Sequence, residues 1–324
     1  MNSKSVIFSN ARIKALENKL LTELQFGRLA DSETAEDALK ILSEYGYGSG
    51  AAADFDDALA AAERDAAELL RETAVEGSGL FVFLTPLDYM NAKAIAKADI
   101  AGEDDYKRLL GPEGNISHAV LKEEMAGGKY SGLPKPMAEA LTKIDGDRLN
   151  GKLTPRKIDA YLDRAAYRDV FGTLKRGRDE ALLLYFKADA DLKNIFSYFR
   201  AAAAKMSFSQ FEESFIEGGT LGLKLFADNF DKPAGILEAL RYSPYKKAAT
   251  LFSEGSLAAA EAAADDYLLG VLKKHRNDMF STAPVAGFYV AKMNEIKLIK
   301  MVYALIKNKA GKEAVRQRMR ELYN

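Results

Sequence analysis

Hydrophobic residues recur at three- and four-residue steps in nearly every segment longer than a dozen residues, the period of a helix that buries one face. Between Ala52 and Val75, the residues Phe55, Leu59, Ala62, Ala66, Leu69, Leu70 and Thr73 share one side. Asp56, Asp57, Glu63, Arg64 and Glu68 lie largely opposite, so the spacing predicts an amphipathic helix. The one β-like run, Leu80 to Leu84, has no neighbouring run with hairpin turn chemistry and is expected as buried helix or a helix entry. Thr85-Pro86, Thr154-Pro155 and Ser243-Pro244 each set a capping hydroxyl before a proline suited to a first helical turn, and Asp88 completes a capping-box-like T-x-x-D after Thr85. Glycine clusters at Gly46 to Gly50, Gly111 to Gly114, Gly127-Gly128 and Gly218-Gly219 mark breaks between helices. The pattern predicts an all-α chain.

Self-similarity refines that picture. Asn91-Ala-Lys93-Ala-Ile95, Asp191-Leu-Lys193-Asn-Ile195 and Glu295-Ile-Lys297-Leu-Ile299 align, with their lysines 100 and 104 residues apart. Each sits in a long helical pattern that follows another. Two copies share a glycine-rich exit, GGxxxGL at Gly127-Gly128-Lys-Tyr-Ser-Gly132-Leu133 and the one-residue-shorter GGxxGL at Gly218-Gly219-Thr-Leu-Gly222-Leu223. Three helical units are therefore expected, over residues 1–130, 131–218 and 219–324. Such units close into a ring or funnel, or open into a superhelix, according to the rotation between neighbours.

Composition narrows the function. A net charge of −1 over 324 residues, with 29% charged residues, gives no bulk attraction for nucleic acid. The absence of cysteine excludes disulfides and thiolate metal sites. The start, through Arg12 and Lys14, lacks the apolar core and cleavage site of a signal peptide, and no apolar run approaches the roughly 18–20 residues of a membrane span. Charge is uneven all the same. Asp31 to Glu76 carries thirteen Asp or Glu against three Lys or Arg, whereas Lys292 to Asn324 carries nine Lys or Arg against three acids. Arg316, Arg318 and Arg320 on a polar C-terminal helix are candidates to seat against an acidic partner.

Catalytic signals are poor. Gly146-Asp-Arg-Leu-Asn-Gly151-Lys152-Leu153-Thr154 reproduces GxxxxGK, but Leu153 stands where magnesium needs Ser or Thr, and a helical pattern rather than a strand precedes it. A helix-to-helix turn capped by Thr154 accounts for it. His118 and His275 belong to no HxxxH or HxxE pair. Acidic doublets such as Asp56-Asp57 and Asp265-Asp266 diverge by about 100° on a helix, so they do not focus two carboxylates on one proton. No cofactor, metal site or catalytic residue is expected.

The closing segment, Pro284-Val-Ala-Gly287-Phe-Tyr289-Val-Ala-Lys292-Met-Asn-Glu295-Ile-Lys297-Leu-Ile299 followed by Gly311, Arg316-Gln-Arg318 and Leu322-Tyr323, resembles that of the C-type connector of archaeal and bacterial V/A-type rotary ATPases, the counterpart of the d-type connector in eukaryotic V-ATPases. The early helix Asn10-Ala-Arg12-Ile-Lys-Ala-Leu-Glu17, the length and the three repeats extend the resemblance over the whole chain. It implies a funnel of three similar helical domains about a pseudo-threefold axis, peripheral to the cytoplasmic side of a membrane. It also implies a non-catalytic connector whose partners are the D- and F-type shaft subunits and the membrane rotor ring, with ATP handled elsewhere. The family's final helix usually reads E-x-x-N; this chain has Glu295-Ile-Lys297-Leu298. Candidate partner contacts are Lys93, Lys193 and Lys297, expected at quasi-equivalent places beside the socket, with Tyr289, Lys292, Glu295, Arg316, Arg318 and Arg320. A free-standing helical scaffold and an all-α enzyme without a recognisable motif are the competing readings.

Overall fold

The computed structural model of the chain describes residues 5–48, 54–103, 106–177, 179–310 and 322–323, and every regular element among them is helical. The chain begins with α1 (Val6–Leu16), α2 (Glu23–Ala30), α3 (Ala35–Glu44) and α4 (Phe55–Thr73). After α5 (Thr85–Ala101) come α6 (His118–Gly127), α7 (Lys135–Leu149), α8 (Pro155–Gly177) and α9 (Glu180–Ala203). Four short helices follow, α10 (Phe208–Ser214), α11 (Leu223–Asp228), α12 (Pro233–Ala239) and α13 (Lys246–Ser253), and then α14 (Leu257–Lys273) and α15 (Ala283–Lys307).

Local chemistry sets most of the starts. Ser5, Thr34 and Ser117 accept a backbone N–H three residues on, and Thr22 with Gln25 and Ser207 with Gln210 form reciprocal capping boxes. Thr154 likewise accepts the Lys157 N–H at 3.3 Å ahead of Pro155. The other two hydroxyl–proline pairs behave differently. The helix at Pro86 already includes Thr85 and is entered through a 3-10 turn over Leu80–Phe83, so Leu84 is the cap residue and Asp88 is released from capping. Beyond Pro244 the helix begins only at Lys246, and Ser243 Oγ accepts the Tyr245 N–H within the preceding turn at 3.2 Å.

The predicted amphipathic helix is α4, which buries Phe55, Leu59, Ala66, Leu70 and Thr73 from the expected face, together with Ala67. The chain divides into two compact units. One joins the residues up to Leu80 with those from Gly255 on; the other runs from Phe81 to Glu254. The first unit is thus discontinuous in sequence. Its core sets Phe26, Leu29, Leu42 and Leu59 against Ile296, Leu298, Ile299 and Val302 of α15. Phe55 stacks on Tyr303 with ring centroids 3.5 Å apart. Burial of each such side chain stabilises by about 1.5–3 kcal/mol, and this core holds helices from opposite chain ends together.

The second unit has a core of Ala92, Leu121, Met137, Leu141, Ile158 and Leu162, contributed by α5, α6, α7 and α8. A second aromatic group follows in α9 to α11, where Tyr198 meets Phe211 edge-on at 6.0 Å and Phe226 at 5.7 Å. Ion pairs link α5 to α8: Lys93 Nζ donates to Asp163 at 2.5 Å and Lys97 Nζ to Asp159 at 2.8 Å. In the first unit, Lys300 of α15 reaches Glu63 of α4 in the same way, at 2.5 Å. Half-exposed pairs of this kind contribute about 0.2–1 kcal/mol each, so they orient the long helices more than they hold them.

Candidate functional site

Three long helices each carry a buried carboxylate, Asp88 on α5, Asp191 on α9 and Glu295 on α15, at most 4% exposed. The spacings are 103 and 104 residues. Each carboxylate catches the backbone of a connecting loop. Asp88 accepts the Asn115 N–H at 3.0 Å and the Ile116 N–H at 2.8 Å. Asp191 accepts the Thr220 N–H at 3.0 Å and the Leu221 N–H at 2.9 Å. Glu295 accepts the Leu21 N–H at 2.5 Å. The residue directly after each clamped loop is a helix cap: Ser117 of α6, Gly222 of α11 and Thr22 of α2. The same device therefore fixes the start of a short helix three times over.

Its second arm is present in two copies. Asn91, one turn beyond Asp88, accepts the Gly111 N–H at 2.9 Å and donates to the Pro112 carbonyl at 3.0 Å. Asn194, one turn beyond Asp191, both accepts from and donates to the Ile216 backbone at 2.8 Å. The third copy has Leu298 at this place, and it joins the apolar core of its unit. There the N-terminal segment is held by burial where the other loops are held by an amide.

The glycines follow from the same geometry. A Cβ at Gly114 would lie 2.3 Å from Asp88 Oδ1, and one at Gly219 would lie 2.1 Å from Asp191 Oδ1. Both glycines stand two residues before the last clamped N–H. In the third copy Lys19 stands there, opposite a glutamate whose extra methylene sets the carboxylate farther from its own helix. The shared glycine-rich exit is consequently not a structural equivalence. Gly219 rests on Asp191, whereas Gly128 caps the end of α6 in the left-handed region at φ +65°. The counterpart of Gly219 is Gly114.

The electrostatic settings differ. Glu295 takes a 2.6 Å ion pair from Lys292 and a hydrogen bond from the Tyr47 hydroxyl. Burial, reinforced by Glu295, pushes the Tyr47 phenol well above its ordinary range. Asp191 is served by neutral donors, the Tyr245 hydroxyl at 2.9 Å and the Thr220 hydroxyl at 2.5 Å. For Asp88, burial outweighs the hydrogen bonds it accepts, Asp169 adds repulsion, and its carboxyl is pushed up to about 6.

The lysines fall into two classes when counted from these carboxylates. Lys193 and Lys297 each lie two residues beyond, about half exposed. Each reaches the preceding long helix: Lys193 Nζ donates to Tyr167 Oη at 2.7 Å and Lys297 Nζ to Asp265 at 2.8 Å. Lys93 lies five residues beyond and is matched by Lys300, each turned to a neighbouring long helix through Asp163 and Glu63. The expected equivalence of Lys93 with the other two is off by one helical turn, because the K-x-I register differs from the Asp-x-x-Asn register by three residues. Tyr289 is buried, and Lys292 and Glu295 are engaged with each other and with Tyr47 inside the first unit. Arg316, Arg318 and Arg320 lie outside the described residues.

The GxxxxGK stretch is a helix-to-helix turn: α7 ends at Leu149, Gly151 takes φ +63°, and α8 starts at Pro155. His118 faces Asn91 and Glu113. A cleft of about 470 Å³ opens between α5, α6 and α7, lined by Ile100, Met125 and Leu153 together with Asp99, Tyr130, Asp145 and Arg148. Among the described residues no group of three His, Cys, Asp or Glu side chains is placed to hold a metal, and no helix is long and apolar enough to cross a membrane.

Comparison with known proteins adds a family-scale match. The family model described as ATP synthase (C/AC39) subunit matches residues 9–318. The C-type subunit of the A-type ATP synthase of a Desulfurococcus species is 27% identical over 335 residues, covering 96% of this chain and 89% of that protein. The proteins of the same name from Thermococcus kodakarensis and Thermococcus gammatolerans are 24% and 26% identical, with 96% of this chain covered in both and 89% and 88% of theirs.

Proposed function

The chain belongs to the ATP synthase (C/AC39) subunit family, and from that premise we propose that it is the non-catalytic central-stalk connector of an A-type rotary ATPase, joining the rotor shaft to the membrane rotor ring and passing torque between them. In this reading its partners are D- and F-type shaft subunits on one side and ring subunits on the other. It sits peripherally on the cytoplasmic face and binds no nucleotide. Three similar helical units, expected over 1–130, 131–218 and 219–324, form a funnel in this reading, with the residues up to Leu80 grouped with those from Gly255 on rather than with the rest of the first span.

The observation that carries this reading is the threefold recurrence of the carboxylate clamp on α5, α9 and α15. A torque-bearing connector needs connecting loops that do not yield under load. A buried carboxylate holding a backbone N–H supplies that, because packed interiors transmit strain with little compression. Lys193 and Lys297, half exposed and equivalently placed, are the proposed contacts to the shaft or ring, with Lys93 one turn along and Arg316, Arg318 and Arg320 as further cationic candidates.

Affinity capture of the tagged chain from native membranes tests the assignment. Shaft and ring subunits are expected to co-purify, and the chain should leave the membrane under stripping conditions without detergent. Recovery only from the soluble fraction, with no ATPase subunit attached, overturns the proposal. Reversing both Lys193 and Lys297 to glutamate is expected to weaken capture at least tenfold at low salt, with a smaller deficit against the native chain's capture at high salt.

A further inference from the structure

Three helices of the second unit end around one cavity. The cleft of about 470 Å³ takes its lining from residues in 95–103, 122–126 and 141–148, at the closing turns of α5, α6 and α7, with Tyr130 and Leu153. That volume falls within the roughly 300–1,000 Å³ of small-molecule sites. Ile95, Leu141 and Ile144, each at most 8% exposed, give it an apolar wall, which the partly buried Met125 and Leu153 continue.

The charges around the cleft favour one sign of ligand. A helix C-terminus carries roughly half a negative charge on its unpaired carbonyls, and here three such ends meet. Neither α5 nor α6 has a basic residue in its last turn. In α7 that place is held by Arg148, whose guanidinium is taken up by Asp99 and by Asp145, the latter at 2.9 Å. Asp99, Glu103 and Asp145 outnumber the lining cations Lys122 and Arg148, and the bridged pair of aspartates keeps one net negative charge after Arg148 is counted.

Tyr130 belongs to the same construction. It is a non-glycine residue in the left-handed region, at φ +54°, and its hydroxyl donates to Asp145. With Tyr130 on one oxygen and Arg148 on the other, the Asp145 carboxylate is fixed in place before any ligand arrives.

We propose that this cleft binds a small organic cation, an ammonium or guanidinium carried on an apolar body. Asp99 and Asp145 are its counter-ions, and Met125 and Leu153 lie against its hydrocarbon. The site goes beyond the connector role and does not depend on it, since α5, α6 and α7 belong to one unit.

Isothermal titration calorimetry of the full chain with phenylbutylamine and its anionic counterpart phenylbutyrate tests this. The amine is expected to bind at one site with a Kd of about 1 mM or below, and the carboxylate more weakly by about tenfold or more. Equal affinities, or no saturable binding of the amine, overturn the proposal. Asp99→Asn combined with Asp145→Asn leaves Arg148 without its counter-ions, so the amine should weaken by about tenfold and the preference should pass to the carboxylate. Ala126→Phe, at an exposed position of α6, fills the cleft and should abolish amine binding in a chain that keeps its native circular dichroism and unfolding midpoint. Amine binding that survives both changes lies elsewhere on the protein and overturns the site. If the double variant does not fold, Ala126→Phe decides.

Discussion

Glu295 and Leu21 are 274 residues apart in sequence, yet the Glu295 carboxylate accepts the Leu21 N–H at 2.5 Å. In the other two copies of this arrangement the carboxylate and its loop are about thirty residues apart or fewer, Asp88 with Ile116 and Asp191 with Leu221. The third therefore closes only when the two ends of the chain have met.

Replacing Asp191 by alanine should be among the most damaging single changes. It leaves the Thr220 and Leu221 N–H groups and the Tyr245 and Thr220 hydroxyls without their acceptor inside the second unit. Unsatisfied buried donors cost about 1–3 kcal/mol each, with partial relief by relaxation, so a loss of about 4 kcal/mol is expected. Urea unfolding of the variant and the native chain measures it. A loss under about 1 kcal/mol would remove the clamp from any structural role.

Asp88 gives a pH dependence of defined sign. Its folded carboxyl is raised to about 6 from 3.8, chiefly by burial, so the folded state binds this proton more tightly than the unfolded chain. The stability from Asp88 is fully present below pH 3.8 and lost as pH rises through about 6, a change of about 3 kcal/mol. The difference in unfolding free energy between the native chain and Asp88→Asn should move by most of that amount, about 2.4 kcal/mol, in the variant's favour, from about pH 4 to about pH 7.5. A pH-independent difference contradicts it.

Two glycines should answer oppositely to alanine. At Gly219 the new Cβ meets Asp191 Oδ1 at 2.1 Å, and either the loop or the clamp must shift. Gly172, within α8, has nothing within 4 Å of its would-be Cβ. Gly219→Ala is expected to destabilise by about 2–3 kcal/mol, as over-packing does, and Gly172→Ala to stabilise by about 0.5–1 kcal/mol. Thermal midpoints that move the same way for both would refute the close-contact account.

Leu298→Asn restores the residue found in the other two copies, but it should not restore their function. Leu298 is 1% exposed within an apolar core, so the amide loses that packing and enters surroundings built for a hydrocarbon. A destabilisation of about 3 kcal/mol, read from urea unfolding, is expected. Stabilisation would instead show that the N-terminal segment still offers the paired carbonyl and N–H that Asn91 and Asn194 use.

The helical class, the course of α4 and the turn at Gly151 were legible because they follow from local periodicity and turn chemistry. The triple recurrence was legible too, though in a shifted register. K-x-I marks surface lysines that any helical chain can acquire, while the structural copies are tied by Asp88-x-x-Asn91 and Asp191-x-x-Asn194. That signal is four residues long and both its letters change in the third copy, to Glu295 and Leu298, so spacing alone does not select it. The meeting of Leu21 and Tyr47 with Glu295 was hidden for a different reason. Helical periodicity reports which face of an element is buried and is silent on which distant element covers it.

A chain whose first helices are completed by its last has a timetable. At roughly 5–20 residues per second of synthesis, about 14–55 s separate the appearance of Leu21 from that of Glu295. The second unit can finish within that interval, since all of it precedes Gly255. Until α15 emerges, Phe26, Leu29 and Leu42 lack the surface that buries them, which makes the first unit the last to mature and the natural client of whatever shields nascent apolar faces.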